Sequence, residues 1–202
     1  MSAQARIVLS VALGLFLTGA SSVWAERFLT VAEAQKLCFP TATGFEAHTI
    51  RFTSEQITAI KKQSDGRMLN AGNRVWLARA GTNLLGVVLL DYVFGKHEVI
   101  EYVVAVSPTG LVQRVEILVY RESYGGEVRN TKWRDQFKNK TAAAPLKLNE
   151  DIYNLSGATM SCRHVTAGVK RLLATFELVV RPQLLADGLP KPVAAAPAGK
   201  PR

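Results

Sequence analysis

The run of apolar and β-branched residues between Arg74 and Tyr120 constrains the fold of this chain more than any other stretch. Short sequences containing Gly, Asn or Pro divide the run into four parts, each rich in Val, Leu, Ile and Tyr, as strands are. The four predicted strands are Val75–Ala80, Leu84–Val93, Val99–Val106 and Leu111–Tyr120. Such a run predicts an antiparallel sheet.

The last predicted strand indicates which faces of the sheet are buried and which are exposed. One set of alternating residues is mostly apolar: Gln113, Val115, Ile117 and Val119. The intervening set carries two charges: Arg114, Glu116 and Leu118. Side chains alternate between the two faces of a strand, so the pattern predicts a half-exposed sheet.

Helical signals lie on both sides of the strand run. Thr30–Cys38 begins with Thr30 and has Glu33 three residues later, which is the form of a capping box. A strand is expected at His48–Phe52 and a second helix from Thr53 to Lys62. From Ser161 onward, apolar residues recur at three- and four-residue steps and predict a long helix: Val165, Val169, Leu172, Leu173, Phe176 and Val180. The fold class expected is α+β, a twisted, largely antiparallel sheet flanked by helices in a single domain.

The two ends of the chain differ in composition from this domain. Residues 1–25 have a weak positive start, an apolar stretch and small residues before Ala25, which predicts a signal peptide cleaved after Ala25. An uncleaved membrane anchor is the alternative, because the apolar stretch is only just shorter than the roughly 20 residues of a membrane helix. The domain is expected over residues 26–182, and the Pro- and Ala-rich residues 183–202 are expected to form a flexible tail. The location predicted is periplasmic or on the outer face of the cytoplasmic membrane.

The chain is moderately basic, with 25 Lys and Arg against 16 Asp and Glu, a formal charge of +9. Such a charge fits an anionic membrane surface, an acidic partner protein or a phosphate-bearing cofactor, and equally a plain soluble surface. Nucleic-acid binding is not expected, because the sequence has no dense basic run and no motif of a nucleic-acid module.

The stretch from Ser156 to Ser161 lies where the last long helix is expected to begin. A small, hydroxyl-rich turn there leaves backbone N–H groups free at the positive end of the helix dipole, as in a phosphate site. Arg163 and His164 follow in the first helical turn, where cations are disfavoured without an anion. The alternative is that the hydroxyl of Thr159 or Ser161 simply caps the helix.

Ser156-Gly157-Ala158-Thr159 resembles the Ser/Thr-Gly-Ala-Thr signature of the covalent FMN-binding domain, with Asp151 a few residues upstream. This domain is found in subunits of the sodium-pumping NADH:quinone reductase and of the related ferredoxin-linked ion-pumping complex. The resemblance implies that Thr159 carries FMN through a phosphoester bond. It also implies that a separate flavin transferase attaches the FMN. Gly157 is expected because a side chain there would crowd the phosphate.

A second segment resembles the same family. Glu122-Ser-Tyr-Gly125-Gly126 is similar to its acidic, glycine-containing loop, and Trp133 with Gln136-Phe137 is similar to its downstream Trp and Gln-Phe pair. The family loop usually reads Glu-Thr-Pro-Gly-Leu-Gly, so Ser-Tyr replaces Thr-Pro and the two glycines are adjacent here. Because glycine permits positive φ and close backbone approach, we expect Glu122, Gly125 and Gly126 beside the flavin ring. A plain hairpin turn is the alternative.

These features predict an exported flavoprotein that relays electrons through FMN, with Thr159 as attachment point. The other residues expected to bind FMN at the helix start are Ser156, Gly157, Ala158, Ser161, Arg163 and His164, with the phosphate held by N–H groups of the helix and by Arg163 or His164. Membrane or periplasmic redox partners are expected, and no catalytic residues of the chain's own. The alternatives are a non-redox envelope binding module that keeps the fold without flavin, and a non-covalent FMN store.

Metal and disulfide chemistry are less prominent in the sequence. No metal site is expected at His48 or His97, because neither has companion ligands at metal spacing. Asp91, in an apolar strand, is expected to satisfy backbone N–H groups. Cys38 and Cys162 can pair in an oxidising compartment or can pack as small apolar groups, and the sequence leaves both open.

Overall fold

One antiparallel sheet organises the computed structural model, which describes residues 26–66, 68–122 and 124–186. Its strands are β1 Glu26–Arg27, β2 Gly44–Arg51, β3 Gly72–Ala80, β4 Asn83–Phe94, β5 Val99–Val106 and β6 Val112–Tyr120. They lie in the order β1-β6-β5-β4-β3-β2, and every neighbouring pair is antiparallel. The predicted α+β class and the four central strands are confirmed.

Helices cover both faces of the sheet. The α-helices are α1 Val31–Cys38, α2 Ser54–Ser64, α3 Thr131–Arg134, α4 Thr159–Thr175 and α5 Arg181–Ala186. Two 3₁₀ turns, Gly126–Arg129 and Asp135–Phe137, flank α3, and a π-helical turn at Phe176–Val180 joins α4 to α5. Thr30 begins α1 and Thr53 begins α2, each through a capping box, so local sequence signals set these two helix starts.

The sheet separates two apolar cores. The larger core lies on the face covered by α2 and α4, where Leu172, Leu173 and Phe176 are fully buried. The smaller core lies under α1, whose Ala34 and Cys38 pack against the other face. The expected half-exposed sheet is therefore wrong along β6, because α1 covers the face that carries Glu116 and Leu118.

A β-bulge in β6 changes the predicted alternation. Glu101 pairs with Val119 and Tyr102 pairs with Ile117, so Leu118 is an extra residue in the strand. Leu118 and Val119 consequently both lie on the α1 face. The prediction that Val119 shares a face with Ile117 is wrong for this reason. Beyond the bulge, Tyr120 joins the core on the α4 face, where strict alternation would have turned it away.

The two cysteines lie on opposite sides of the sheet. Cys38 is in the core under α1 and Cys162 is in the core under α4, and both are free thiols. Burial is the main reason that the pKa of Cys38 rises to about 12, and burial also raises the pKa of Cys162. Of the two possibilities left open, packing as small apolar groups is the one found.

The C-terminal end of the described chain differs from the predicted boundary between domain and tail. Helix α5 continues to Ala186 and Leu184 packs on the main core, so the tail predicted from Gln183 is helical in its first residues. The predicted signal peptide, residues 1–25, and residues 187–202 lie outside the described part of the chain. Within that part, no helix combines the length and hydropathy needed to cross a bilayer.

Candidate functional site

The turn before α4 has a backbone shape that requires glycine. The Ala158 N–H donates to the Leu155 carbonyl at 3.1 Å, and Gly157 within this turn has φ +82°. A side chain is strained at that φ, although the nearest atom to a Cβ built there is Glu127 Oε1 at 4.0 Å. Gly157 is therefore explained by its φ, and not by crowding from any group of the protein.

Helix α4 begins without a side-chain cap. Ala158 occupies the N-cap position and no side chain bonds the first-turn N–H groups, so the alternative in which Thr159 or Ser161 caps the helix is wrong. The Cys162 N–H is the first to bond an intrahelical carbonyl, that of Ala158, at 2.8 Å. The N–H groups of Thr159, Met160 and Ser161 precede it, at the positive end of a 17-residue helix.

The Thr159 hydroxyl is held by an amide instead of serving as a cap. Asn154 Nδ2 donates to Thr159 Oγ1 at 2.9 Å, and Thr159 is half-buried. The other arm of that amide, Asn154 Oδ1, is buried and has no hydrogen-bond partner among the described residues. A fixed hydroxyl thus lies at the first residue of the helix.

The segment around α3 fixes the backbone next to Asn154. Trp133 Nε1 donates to the Tyr153 carbonyl at 2.8 Å, and Gln136 Oε1 accepts from the Tyr153 N–H at 2.6 Å. Arg134 anchors this segment to β6 through an ion pair with Glu116, with 2.9 Å between Nη2 and Oε2. The Trp and Gln singled out in the sequence therefore bond both backbone polar groups of one residue, Tyr153, beside the turn.

A groove of about 360 Å³ runs beside the start of α4. Its lining residues are Lys96, His97, Glu98, Arg121, Glu122, Tyr124, Gly125, Gly157, Ala158, Met160 and Ser161. Five predicted site residues are thus brought together: Glu122, Gly125, Gly157, Ala158 and Ser161. Tyr124 and Met160 are large apolar side chains that remain exposed there, and Lys96 and Arg121 add positive charge.

Glu122 holds the wall of this groove in place. Its Oε1 accepts the backbone N–H groups of His97 and Glu98, at 2.5 and 2.8 Å. Burial raises its pKa, but the hydrogen bonds from the β4–β5 turn outweigh burial, so the pKa of Glu122 lies below its ordinary value. The carboxylate is therefore ionised near neutral pH. Gly95 permits the contact, because a Cβ there would meet Glu122 Oε1 at 2.4 Å.

Gly125 lies against two hydroxyl groups. Tyr120 OH is 3.0 Å from Ser161 Oγ and donates to the Tyr124 carbonyl. Burial is the main cause of a raised Tyr120 pKa, so the phenol keeps its proton at neutral pH. A Cβ on Gly125 would lie 2.7 Å from Tyr120 OH and 3.0 Å from Ser161 Oγ, and Gly125 has φ +86°.

Gly126 differs from its neighbour Gly125, although glycine permits positive φ at both positions. It begins a 3₁₀ turn and has no positive φ, and a Cβ there would meet only the flexible end of Arg129, at 3.3 Å. Gly126 does not line the groove. The loop requires glycine at Gly125 alone.

Four further predicted residues lie outside the groove lining. Ser156 is exposed in the turn, and Thr159 lies between the lining residues Ala158 and Met160 with its hydroxyl on Asn154. Arg163 is exposed on α4. His164 Nδ1 donates to the carbonyls of Phe94 and Gly95, beside a separate pocket that includes Leu69 and Arg171.

Asn154 and Tyr120 are site residues that sequence reasoning missed. Asn154 lies between Asp151 and the motif Ser156–Thr159, but only the contact between its side chain and Thr159 distinguishes it. Tyr120 was placed in a strand, and the bulge at Leu118 directs it toward α4. The described residues contain no cluster of metal-binding side chains.

Replacing Gly125 with alanine is expected to lower the free energy of unfolding by about 2 kcal/mol. The reason is the left-handed backbone, which costs an L-residue roughly 1–2 kcal/mol, together with the close contacts to Tyr120 and Ser161. Gly126→Ala is the matched control and is expected to change stability by no more than about 0.5 kcal/mol. Urea denaturation of both variants measures the difference, and equal stabilities would contradict this description of the loop.

Together, a helix start with free N–H groups, a fixed hydroxyl and an adjacent groove define an α+β protein with an anion-accepting site beside an apolar surface. The sequence model of the FMN-binding domain family matches residues 95–174, which include this site. Residues 95–174 are therefore similar to the FMN-binding domain family.

The fold has a counterpart among solved structures. The crystal structure of Shewanella oneidensis NqrC aligns with a TM-score of 0.52 and 19% sequence identity, covering 71% of this chain and 85% of that one. At this identity the likeness concerns the fold. A search of curated proteins gave no match.

The residues at this site fit FMN. The N–H groups at the start of α4 are donors for a phosphate, and Asn154 has a buried polar atom without a partner next to the hydroxyl. The groove volume is within the range of about 300–1,000 Å³ that is usual for ligand sites. Tyr124 and Met160 offer apolar surface to an aromatic ring, as ligand sites commonly do.

Proposed function

We propose that this chain is an exported electron-transfer protein whose FMN is attached to Thr159 through a phosphoester bond. One observation carries the proposal: within the residues that match the FMN-binding domain, a fixed threonine hydroxyl lies at a helix start whose N–H groups are free. When bound, FMN supplies the redox chemistry, and the protein supplies attachment, orientation and electrostatics.

The residues around Thr159 have distinct parts in holding the group. The N–H groups of Met160 and Ser161 stabilise the negative charge that remains on a phosphodiester. Lys96 and Arg121 add positive charge along the groove. Tyr124 supplies apolar contact surface for the ring. Exposed Arg163 is on the same helix, and its contribution is long-range attraction rather than a groove contact.

Attachment requires a partner enzyme. Thr159 Oγ1 would supply the oxygen that bonds to the FMN phosphorus of FAD, with the phosphoanhydride bond broken, AMP as the leaving group and the hydroxyl proton passed to a base. The chain contributes the nucleophile, and a flavin transferase contributes the base. A covalent link suits an exported protein, because a lost cofactor is not replaced where free flavin is scarce.

Export and the redox partners belong to the same proposal. We infer from residues 1–25 that the mature chain begins at Glu26, outside the cytoplasmic membrane. Loss of Arg6 with that segment lowers the formal charge from +9 to +8, which still favours an anionic membrane surface or an acidic partner. We infer that the chain relays electrons between membrane or periplasmic partners.

The full chain, expressed in a host with a flavin transferase, is expected to purify as a yellow protein whose colour stays with the polypeptide after denaturation. A host lacking the transferase is the control and should give no colour that survives denaturation. Colour that washes out in denaturant would replace covalent attachment with reversible FMN binding. A colourless folded protein from the first host would favour the non-redox envelope module.

A further inference from the structure

Only one of the two polar atoms of the Asn154 amide makes a hydrogen bond, and that bond is to the hydroxyl of Thr159. Its Nδ2 donates to Thr159 Oγ1 at 2.9 Å, while its Oδ1 is buried without a partner in the described chain. The large majority of buried side-chain polar atoms in proteins are paired, and an unpaired one carries a desolvation penalty. Asn154 belongs to no turn or cap that explains its orientation, so its contact with Thr159 is the feature to account for.

We propose that Asn154 is the positioning residue for FMN attachment: its amide N–H holds Thr159 Oγ1 as an acceptor, before and after the phosphoester forms. The inference rests on the proposed function and adds a role for a residue that the sequence did not single out. In this role Asn154 neither contacts the flavin ring nor takes the proton of the Thr159 hydroxyl.

The direction of the hydrogen bond carries the argument. Because Nδ2 is the donor, the hydroxyl hydrogen of Thr159 points away from Asn154 and is available to the base of the transferase. Once Oγ1 is bonded to phosphorus it has no hydrogen and can only accept. The amide N–H still matches it then, whereas an oxygen at the same place would repel it.

The backbone beside Asn154 is held firmly enough for such a role. Both polar groups of Tyr153 are bonded, its carbonyl to Trp133 and its N–H to Gln136. Trp133 is itself buried and packs edge-on against Phe137, with 5.2 Å between ring centroids. A chain of contacts therefore connects the core under β6 to the amide that fixes the acceptor hydroxyl.

Asn154→Asp tests this role with almost no change of shape. It replaces the donor with an oxygen and places a negative charge beside the phosphoester. Asn130→Asp is the matched control, because it makes the same chemical change at a helix N-cap where Asp serves as well as Asn, with the Lys132 N–H as its donor. Asn154→Ala removes the amide without adding charge.

The experiment measures initial rates of FMN incorporation by intact-mass spectrometry, with purified full chains, flavin transferase and FAD. For Asn154→Asp we expect kcat to fall on the order of 100-fold with KM for the acceptor chain unchanged, since misplacing a reacting group by about 1 Å costs that much. Asn154→Ala should fall on the order of 10-fold, and Asn130→Asp should match wild type. Melting curves check that each variant is folded.

Each other outcome is decisive. Wild-type kcat for both Asn154 variants, with Thr159→Ala unlabelled, would overturn the positioning role and leave the proposed function standing. A raised KM with unchanged kcat would also overturn it, because Asn154 would then act in docking of the transferase. No labelling of wild type would overturn the proposed function and this inference with it. If Asn154→Asp fails to fold, the rate of Asn154→Ala decides.

Discussion

Asp91→Asn is expected to lower the free energy of unfolding by about 3–5 kcal/mol, the usual result of removing one partner from a buried ion pair. Asp91 lies on β4, and its Oδ2 accepts from Arg171 Nη2 at 2.6 Å and from Arg171 Nε at 3.1 Å. The two residues are 4% and 5% exposed, so an uncompensated Arg171 would have little access to water.

The other groups that contact the Asp91 carboxylate are donors, and Arg171 Nη2 also donates to the Tyr92 carbonyl, at the longer distance of 3.4 Å. Asn70 and the Tyr92 N–H donate to Oδ1 at 2.9 and 2.8 Å. Burial and the adjacent Asp91 charge raise the pKa of Tyr102, whose hydroxyl donates to Oδ2 at 3.4 Å. An asparagine amide would direct N–H groups at some of these donors. For a domain of this size, a loss of about 3 kcal/mol corresponds to a fall in Tm of roughly 6–12 °C.

Asp65→Asn is the control for this prediction. Asp65 pairs with Lys170 of the same helix α4 at 3.0 Å, but its side chain is 76% exposed. An exposed pair contributes about 0–1 kcal/mol, and asparagine tolerates the left-handed conformation of Asp65 at φ +50°. Urea denaturation followed by circular dichroism compares the variants. Equal losses at the two positions would show that the buried pair does not anchor α4 to the sheet.

The parts of the fold with local causes were predictable from sequence. The caps of α1 and α2 are set by residues three apart, Thr30 with Glu33 and Thr53 with Gln56. The strands follow from runs of β-branched residues between turn sequences. The bulge at Leu118 was not predictable, because it depends on pairing with β5.

The ion pair of Asp91 with Arg171 was also not predictable from the sequence. Its members are 80 residues apart in the chain, and no local pattern connects them. Asp91 was predicted to accept a hydrogen bond from a backbone N–H, and the Tyr92 N–H makes this bond. The ion pair with Arg171 was not predicted. Arg171 directly follows Lys170 on α4, and the sequence alone does not distinguish the buried charge from the less buried one.

The candidate site also has features that were predictable from sequence and features that were not. The glycine turn and the helix start were predictable, because φ preferences and helix ends are properties of short segments. The sequence did not predict that Gly125 requires glycine and Gly126 does not, because this depends on the atoms that lie next to each Cα. The role of Asn154 required the contact of its amide with Thr159, which sequence spacing alone does not give.

Thr159→Ala is expected to remove all covalently bound FMN and leave the fold intact. Its hydroxyl makes one hydrogen bond, with Asn154, and does not cap the helix, so its loss should cost about 1 kcal/mol. Alanine also suits a helical position. Thr159→Ser is the matched control, because it keeps a hydroxyl at the same place and should still accept FMN.

Two other hydroxyls could serve as acceptors if Thr159 does not. Ser156 is exposed in the turn, whereas Ser161 is buried with its oxygen 3.0 Å from Tyr120 OH. Ser156→Ala is therefore the more informative comparison, and it is expected to retain FMN in full.

The most direct test of the account is the intact mass of the denatured chain after co-expression with a flavin transferase. Wild type, Thr159→Ser and Ser156→Ala are expected to carry the mass of one FMN, and Thr159→Ala is expected to have the mass of the bare polypeptide. FMN retained on Thr159→Ala would contradict the account, because the acceptor would then be another hydroxyl and the site would not be organised around Thr159.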